Sequence, residues 1–343
     1  MTNDISRKKV FVVLGMARTG TSAISRSLKV FGVNHGDMLM NGKSEWNPTG
    51  CWEDREIVYG VNGKIFSRLD FAPYGMLTIP EEDLSSGNIP DIHASAAAIL
   101  TSRLQQTDFF GFKDPSTIKV LPFWREVFNT LGLQDYYLIA LRNPLAAARS
   151  YHKITGCGLE LSLLLWCTHM LQAVDGTKSA KRIIVSYDLL MQDPRRQLER
   201  MQSVLNPIEL NEQEAEYYSS KFLKDKLNRF QSSEEEFTLH NAVKAAALTK
   251  DIYDCLLKVA NDEWTFESPE FMKCWQDIHA AYEKLKPMYA YLDRLLKKRR
   301  LLTLQKRDLL KSYLWKVVSP FMFVETRFRE WRRKKHFQRR MVF

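Results

Sequence analysis

This sequence lacks the long apolar runs that cross membranes and the cysteine spacings that bind zinc. No stretch of about 18 apolar residues occurs, and the run Val10–Leu14 is too short for a signal-peptide core. The five cysteines are odd in number and include no C-x-x-C pair, which favours reduced thiols over a disulfide framework or a zinc site. These absences predict a cytoplasmic protein without a bound metal.

An excess of positive charge is also missing from most of the chain, although the whole sequence carries +10. Between Lys297 and Phe343 there are 16 Lys or Arg and 3 Asp or Glu, a local balance of +13, which leaves about −3 for residues 1–296. With 343 residues and 45% hydrophobic content, the chain can bury a full core. The composition therefore predicts a folded protein with a basic tail.

Four short apolar runs have the composition of buried parallel strands: Lys8–Leu14, Phe109–Phe112, Tyr136–Leu141 and Arg182–Val185. The first run leads into a glycine loop and then into the amphipathic stretch Ser22–Phe31, which Gly32 closes. Segments of helical period separate the runs. The sequence thus predicts an α/β fold with three layers, a P-loop-like start and a central parallel sheet.

Beyond a charged segment that ends near Asp262, Ser268 and Pro269 mark the start of a long helix. Apolar residues then recur at alternating intervals of four and three, a heptad pattern that predicts one apolar face. They are Phe271, Trp275, Ile278, Tyr282, Leu285, Tyr289, Leu292 and Leu296. Pro287 should kink this helix or split it. We expect residues 1–262 to form one domain and 263–343 a helical, basic extension, with the seam at 271–296 as a candidate homodimer contact.

The loop Gly15–Ser22 (GMARTGTS) has glycines at its first and sixth positions and lies between a strand and a helix. In that arrangement backbone N–H groups and the helix dipole converge on an anion. The spacing is that of a Walker A motif, but Thr21 replaces the Lys that reaches nucleotide phosphates. Arg18 offers instead a planar guanidinium for a phosphate or sulfate. A glycine turn that only joins strand to helix is the alternative.

The segment Ala17–Ser22 (ARTGTS) resembles the 5′-phosphosulfate loop of the sulfotransferases that use 3′-phosphoadenosine 5′-phosphosulfate (PAPS), of the form P-[KR]-S-G-T-[TS]. The Arg is similar to that of the tyrosylprotein and many bacterial carbohydrate-type members. Ala17 and Thr19 depart from the commoner Pro and Ser, and neither change removes an anion-binding group. The resemblance implies that the donor's phosphosulfate is bound by Gly15, Arg18, Thr19, Gly20, Thr21 and Ser22.

A second motif follows the third strand run, where Arg142–Ser150 (RNPLAAARS) has the family's form R-[ND]-P-x-x-x-x-x-S. Pro144 suits the first turn of a helix, so Ser150 should lie two turns on and nearly on the same face as Arg142. The resemblance implies that Arg142 and Ser150 bind the donor's 3′-phosphate. Alone, such a triplet is more often a helix start than a ligand site, but the two motifs together favour a PAPS site.

Two further segments agree with the resemblance, which covers Lys8 to about Met201. The triplet at Lys113 (KDP) is similar to an element whose Lys lies near the transferred sulfuryl group, and Arg182–Leu190 is similar to a strand and loop whose Tyr contacts adenine. These similarities imply a catalytic Lys113 and an adenine contact at Tyr187. The alternatives are an ion pair at a helix start for Lys113 and an ordinary semi-buried aromatic for Tyr187.

Sulfuryl transfer, like phosphoryl transfer, depends on positioning and on cations, which Arg18 and Lys113 would supply. The acceptor hydroxyl also needs a general base. The family's base often follows the first helix in a G-x-x-E segment, which here ends at Glu53.

Other residues of this region remain alternatives for the base: Asp54, Glu45 and His35. The same segment carries Trp46 and Trp52, which either stack on a sugar ring or cap the core.

The tail at 297–343 mixes its cations with leucines and aromatic residues, which favours an amphipathic helix on anionic lipid over a nucleic-acid arm. Ser312–Phe321 (SYLWKVVSPF) resembles the tail S-x-S-W-R-x-T-x-P-[LM] of bacterial enzymes that modify cell-surface polysaccharides. That similarity implies a saccharide acceptor on a lipid carrier, at the inner face of the membrane. A solvated basic helix is the alternative, and we expect no nucleic-acid partner.

Two other functions fit part of the sequence. A P-loop kinase for a small molecule would share the strand, loop and helix, but the missing Lys and the lack of a clear Mg²⁺-binding Asp speak against it. A non-catalytic scaffold at a membrane would use the heptad and the tail, with a vestigial phosphate loop. The set Arg18, Lys113, Arg142 and Ser150 speaks against that second function.

Overall fold

Four parallel strands form the centre of the structure, a computed structural model that describes residues 8–40, 50–205, 209–223 and 244–311. The strands lie in the order β2-β1-β3-β4, with β1 paired to both β2 and β3. They are β1 (Lys9–Leu14), β2 (Phe109–Lys113), β3 (Gln134–Leu141) and β4 (Lys181–Ser186). The predicted parallel sheet is confirmed, since each predicted strand run is present.

Helices connect and flank the strands. The α-helices of the described residues are α1 (Thr21–Ser27), α2 (Gly63–Arg68), α3 (Glu81–Leu84), α4 (Pro90–Leu104), α5 (Leu121–Thr130), α6 (Pro144–Thr155), α7 (Leu159–Gly176), α8 (Tyr187–Gln192), α9 (Pro194–Leu205), α10 (Glu212–Tyr217), α11 (Lys244–Ala260) and α12 (Pro269–Lys311). Short 3₁₀ segments occupy Leu28–Phe31 and Pro115–Val120, and π-helical segments occupy Glu56–Asn62 and Tyr218–Phe222. None of these helices is both long and apolar enough to cross a membrane.

The sheet is covered on both faces, because successive side chains of a strand point to opposite sides. On one face Phe11, Leu138 and Val185 join a core cluster with residues of α1, α8 and α9. The alternate residues of the same strands, such as Val12 and Ile139, are also fully buried, and α5 and α11 contact β3. This gives the three layers predicted from the alternation of strand and helix patterns.

The first helix is shorter than predicted. The stretch expected to be one helix from Ser22 to Phe31 divides into α1 and the 3₁₀ turn Leu28–Phe31. Gly32 ends it in the left-handed conformation with φ of 71°, as expected of a C-terminal glycine. The 3₁₀ turn places Leu28, Val30 and Phe31 in the core beneath the sheet.

Contacts divide the chain into two compact units, Met1–Ala290 and Tyr291–Phe343. Helix α12 begins as predicted, with the Ser268 hydroxyl accepting a hydrogen bond from the Phe271 N–H at 3.3 Å. It passes Pro287 without a break, so the alternative of a split at that residue is wrong. The domain boundary predicted after residue 262 stays a prediction.

The first part of the heptad seam is buried within the first unit. Phe271, Trp275, Ile278 and Tyr289 are each at most 4% exposed. The Trp275 indole N–H donates to Asp175 of α7 at 3.0 Å. These side chains are therefore occupied by the chain's own core, and a homodimer through 271–296 stays a prediction.

Candidate functional site

The predicted site residues follow strands that end at one edge of the sheet. Val13 of β1 pairs with Lys113 of β2, and Leu141 of β3 pairs with Ser186 of β4. β1 and β3 are neighbours at the centre of the sheet. The chain continues from β1 to β2 at one side of this central pair, and from β3 to β4 at the other side. In parallel sheets, ligands bind in the crevice where the connections diverge in this way. The crevice lies here between β1 and β3.

The loop that leaves β1 has the backbone of an anion cradle. Gly15, Arg18 and Gly20 have positive φ angles of 149°, 79° and 89°. The Thr19 N–H and hydroxyl both donate to the Met16 carbonyl, at 3.2 and 2.8 Å, which closes the turn. Helix α1 starts at Thr21 with no acidic residue in its first turn. Its N-terminal N–H groups and dipole therefore favour an anion at this point.

Two hydroxyls predicted to bind the donor are engaged within the protein. The Thr19 hydroxyl is the one that closes the loop, and the Ser22 hydroxyl donates to the Cys51 carbonyl at 3.2 Å. The Thr19 N–H is engaged as well, by the Met16 carbonyl, so of these two residues Ser22 would bind an anion through its N–H. The prediction that Gly15–Ser22 binds the donor stays a prediction.

The two predicted anion motifs meet across the crevice. Arg18 Nε donates to the Ser150 hydroxyl at 3.1 Å, and Arg142 Nη1 donates to the Arg18 carbonyl at 3.1 Å. Arg142 and Ser150 are buried, at 5% and 2% exposure. Burial lowers the pKa of the Arg142 guanidinium, because a charged group is less well solvated there. Residues far apart in the chain therefore place two cations and a hydroxyl side by side.

Tyr187 forms one wall of this cluster. The Arg142 guanidinium lies 4.7 Å from the centre of its ring, within the range of a cation–π contact. Burial raises the pKa of Tyr187, while the nearby charges of Arg142 and Arg18 oppose that rise. The Asp188 carboxylate next to it accepts from the Asn143 N–H at 3.1 Å, which ties the end of β4 to the end of β3.

Lys113 and Glu53 form an ion pair near the end of β2. Lys113 Nζ donates to Glu53 Oε1 at 2.5 Å, and the two side chains are 4% and 16% exposed. The following Asp114 caps the 3₁₀ turn and accepts from the Asn62 amide at 2.8 Å. Trp124 holds the same Asn62 from its other side, through an N–H···O bond of 2.8 Å. The predicted catalytic lysine and base are thus in contact with each other on a rigid support.

The alternatives for the base differ in their surroundings. Asp54 caps the helical segment that follows it and is bound by Arg103 at 2.9 Å, with a side chain fully shielded from solvent. His35 is 2% exposed, and burial followed by the charge of Lys29 lowers its pKa to about 4. The side chains of Asp54 and His35 are therefore both engaged in contacts within the protein. Glu45 and Trp46 lie outside the described residues.

Three contributions were not predicted from the sequence. Asn62 anchors Asp114, Asp188 joins two strand ends, and the Cys51 carbonyl holds Ser22. The sequence around Asn62 carries no motif. Asp188 directly follows the predicted Tyr187. Its position close to the end of a strand is the sequence signal that could have marked it as a site residue.

Comparisons with known proteins give weak likenesses. No family model matches the chain, and no curated protein matches it significantly. Among solved structures, it is similar to the sulfotransferase domain from the Synechococcus PCC 7002 olefin synthase, with 15% identity, a TM-score of 0.41 and coverage of 79% of this chain and 96% of that one. For the sulfotransferase domain from the curacin biosynthetic pathway the identity is 14%, the TM-score 0.37 and the coverage 80% and 98%. With TM-scores this low, function is argued from the site itself.

Replacing Gly20 by Ala should destabilise the protein beyond the effect of its backbone angle. A Cβ at this position would lie 2.7 Å from Tyr187 Cγ and 2.9 Å from Tyr187 Cβ. We expect a loss of about 1–2 kcal/mol for the left-handed angle and a further 1–3 kcal/mol, roughly, for the overlap. Urea unfolding measures the sum.

Gly132→Ala is the matched control, because Gly132 has a φ of 65° and no atom within 4 Å of its added Cβ. It should show only the cost of the angle. Equal losses for the two variants would contradict the close packing of Gly20 on Tyr187.

Proposed function

We propose that this chain is a sulfotransferase that transfers a sulfuryl group from PAPS to a hydroxyl of an acceptor. The observation that carries the proposal is the contact of the two anion motifs across the crevice, through Arg18, Ser150 and Arg142. A donor with phosphate groups at both its 3′ and 5′ positions needs two anion sites close together. The glycine loop and the buried Arg142–Ser150 pair would provide the two sites. The Tyr187 ring beside them would contact the adenine.

The chemistry we propose needs few groups, because sulfuryl transfer proceeds by in-line displacement with charge spread over the equatorial oxygens. Lys113 would stabilise that charge, and Glu53 would accept the proton of the attacking hydroxyl. Their contact at 2.5 Å supports this pairing, since the base must reach the hydroxyl that attacks sulfur while the cation reaches the oxygens on that sulfur. The acceptor oxygen would then attack sulfur while the bond to the bisphosphate breaks.

Arg18 has two proposed roles that the structure makes separable. Its guanidinium contacts Ser150, which belongs to the 3′-phosphate motif. The sequence instead gives it a place at the transferred sulfuryl group. A bound donor would decide between them, because a side chain at the 3′-phosphate contributes to product affinity and one at the sulfuryl group does not.

For the acceptor we propose a saccharide. Tyr74 is 43% exposed and is within electrostatic reach of Glu53. Partial burial and then the carboxylates of Asp114 and Glu53 raise its pKa. Tyr59, 59% exposed, is among the groups that also act on it. An exposed aromatic ring within electrostatic reach of the proposed base supports an acceptor with the apolar face of a sugar ring.

We also propose that the tail binds anionic lipid. Within the second unit, Tyr291, Leu295, Leu302 and Leu309 are between 44% and 57% exposed and are spaced to share one helix face. By helical spacing, that face is bordered by Lys298, Arg299 and Lys306. An apolar stripe bordered by Lys and Arg suits the boundary between headgroups and acyl chains. Residues 312–343, including the segment Ser312–Phe321, lie outside the described residues.

Adenosine 3′,5′-bisphosphate should bind without Mg²⁺, and more tightly than either AMP or ATP. Arg142→Ala should weaken its binding by roughly 1.5–3 kcal/mol, the range for a hydrogen bond to a charged group. Isothermal titration calorimetry measures both effects. Equal affinity for AMP, or tighter Mg²⁺-dependent binding of ATP, would contradict the donor and favour the kinase.

Arg125→Ala is the control for lost charge in this titration. Arg125 bonds Gly176 and Ser179 near the start of β4, at the opposite edge of the sheet. Its removal should leave bisphosphate affinity unchanged.

Lys113→Ala should lower turnover strongly while leaving bisphosphate affinity nearly intact, because the transferred group is absent from that product. Arg18→Ala should do the same if it serves the sulfuryl group. If Arg18 serves the 3′-phosphate, its loss should weaken the bisphosphate as Arg142→Ala does. Radiolabelled sulfuryl transfer and calorimetry on the same samples separate these effects. Turnover unchanged in the Lys113 variant would place the active site elsewhere.

The intact protein should sediment with vesicles that contain phosphatidylserine and not with pure phosphatidylcholine. Replacing Lys297, Lys298, Arg299 and Arg300 with Gln should weaken this binding by about 1 kcal/mol per charge, and raised salt should do so as well. Bisphosphate affinity should not change in this variant. Vesicle binding that is insensitive to both salt and substitution would show that the charges only solubilise the tail.

A further inference from the structure

Trp52, which immediately precedes the proposed base, has a backbone conformation that is unusual for a bulky residue. Its φ is 56°, in the left-handed region that favours glycine. The residues on either side are held by their main chains. The Cys51 carbonyl accepts from Ser22 at 3.2 Å, and the Glu53 carbonyl accepts from the Met40 N–H at 2.8 Å. Such a conformation persists only where the surroundings hold it in place.

The surroundings that hold Trp52 come largely from the helix that follows the phosphate loop. Its ring lies 5.8 Å from the Arg26 guanidinium and 5.3 Å from Lys29 Nζ, both within cation–π range. Edge contacts join the ring to His35 at 5.5 Å and to Phe222 at 6.3 Å. The indole is therefore half-buried, in contact with α1, the turn after it and the segment Tyr218–Phe222.

Arg26 is itself fixed, so it can act as an anchor. It is 5% exposed and bonded to Glu214 of α10 at 2.8 Å. Its guanidinium also lies 5.5 Å from the rings of Tyr217 and Phe222. His35, with its pKa lowered to about 4 by burial and then by Lys29, presents a neutral edge at neutral pH. A hydrogen bond of 3.1 Å joins His35 Nε2 to the Ser25 hydroxyl, which fixes the imidazole on α1 as well.

We propose that Trp52 is a positioning residue of the transfer reaction: its ring, held on α1, maintains the left-handed turn that presents the Glu53 carboxylate to Lys113. This inference rests on the proposed function and deepens it. Without the ring, the hydrogen bonds to the Cys51 and Glu53 carbonyls are left to oppose the cost of the positive φ, and the turn relaxes. The Glu53 carboxylate then moves away from the acceptor hydroxyl, although the donor site keeps all of its groups.

The test compares Trp52→Leu, Glu53→Gln and the double variant in the full-length protein. Trp52→Leu should lower kcat by about 10–100-fold, since a displacement of about 1 Å can cost 10²-fold. Bisphosphate affinity should change by less than about threefold, because the ring contacts described above are with side chains outside the proposed donor site. Trp52→Phe, which keeps an aromatic ring under the cations, should recover part of the loss.

The double variant decides whether Trp52 acts through Glu53. If it does, Trp52→Leu should have little further effect in the Glu53→Gln background, because residues that act as a unit are not additive. A general loss of structure would instead multiply the two defects. Should Trp52→Leu fail to fold in a circular dichroism melt, the same comparison is made with Trp52→Phe.

Trp264→Leu is the matched control. Trp264 also lies under a cation, with Lys258 Nζ 4.1 Å from its ring, but belongs to the loop between α11 and α12. It should leave kcat unchanged. Unchanged kcat in Trp52→Leu, or multiplicative defects in the double variant, would overturn the positioning role. Absence of any sulfuryl transfer by the wild-type protein would instead contradict the proposed function.

Discussion

The hydrogen bond from the Arg142 guanidinium to the Arg18 carbonyl spans the crevice between β1 and β3. It joins the ends of two strands and fixes the left-handed turn of the glycine loop. Its cost is a guanidinium buried to 5% exposure, with its pKa lowered by that burial and a second arginine nearby. A bound anion would offset both the lost solvation and the repulsion, so the same arrangement that strains the free site favours ligand binding.

The layered fold and the positions of the motifs could be predicted because their causes are local. A buried parallel strand is a short apolar run in any context. Gly32 ends the turn after α1 and Ser268 starts α12 through bonds to near neighbours in the chain. Once strand ends are known, a parallel sheet places Lys113 and Arg142 at the same edge. Few alternative positions for the two motifs then remain.

The remaining details depend on partners distant in sequence, which local patterns do not specify. Glu53 and Lys113 are 60 residues apart, and no local pattern indicates that Lys113 pairs with Glu53 and not with Asp54. The heptad seam shows the same limit. A stripe that packs on its own domain has the same period as one that packs on a second helix. The burial of this stripe and the hydrogen bond of Trp275 to Asp175 distinguish the two.

Helix α1 has only seven residues, yet both halves of the proposed site depend on it. Its N-terminus faces the anion loop, Ser22 holds the Cys51 carbonyl, and Arg26 holds the Trp52 ring. Because a hydroxyl and a guanidinium on one rigid element fix the loop that carries Glu53, a shift of the phosphate loop on donor binding would be transmitted to the base. We therefore expect substitutions in α1 to alter donor affinity and turnover together, and separate measurements of the two are needed to assign a residue to either half of the proposed site.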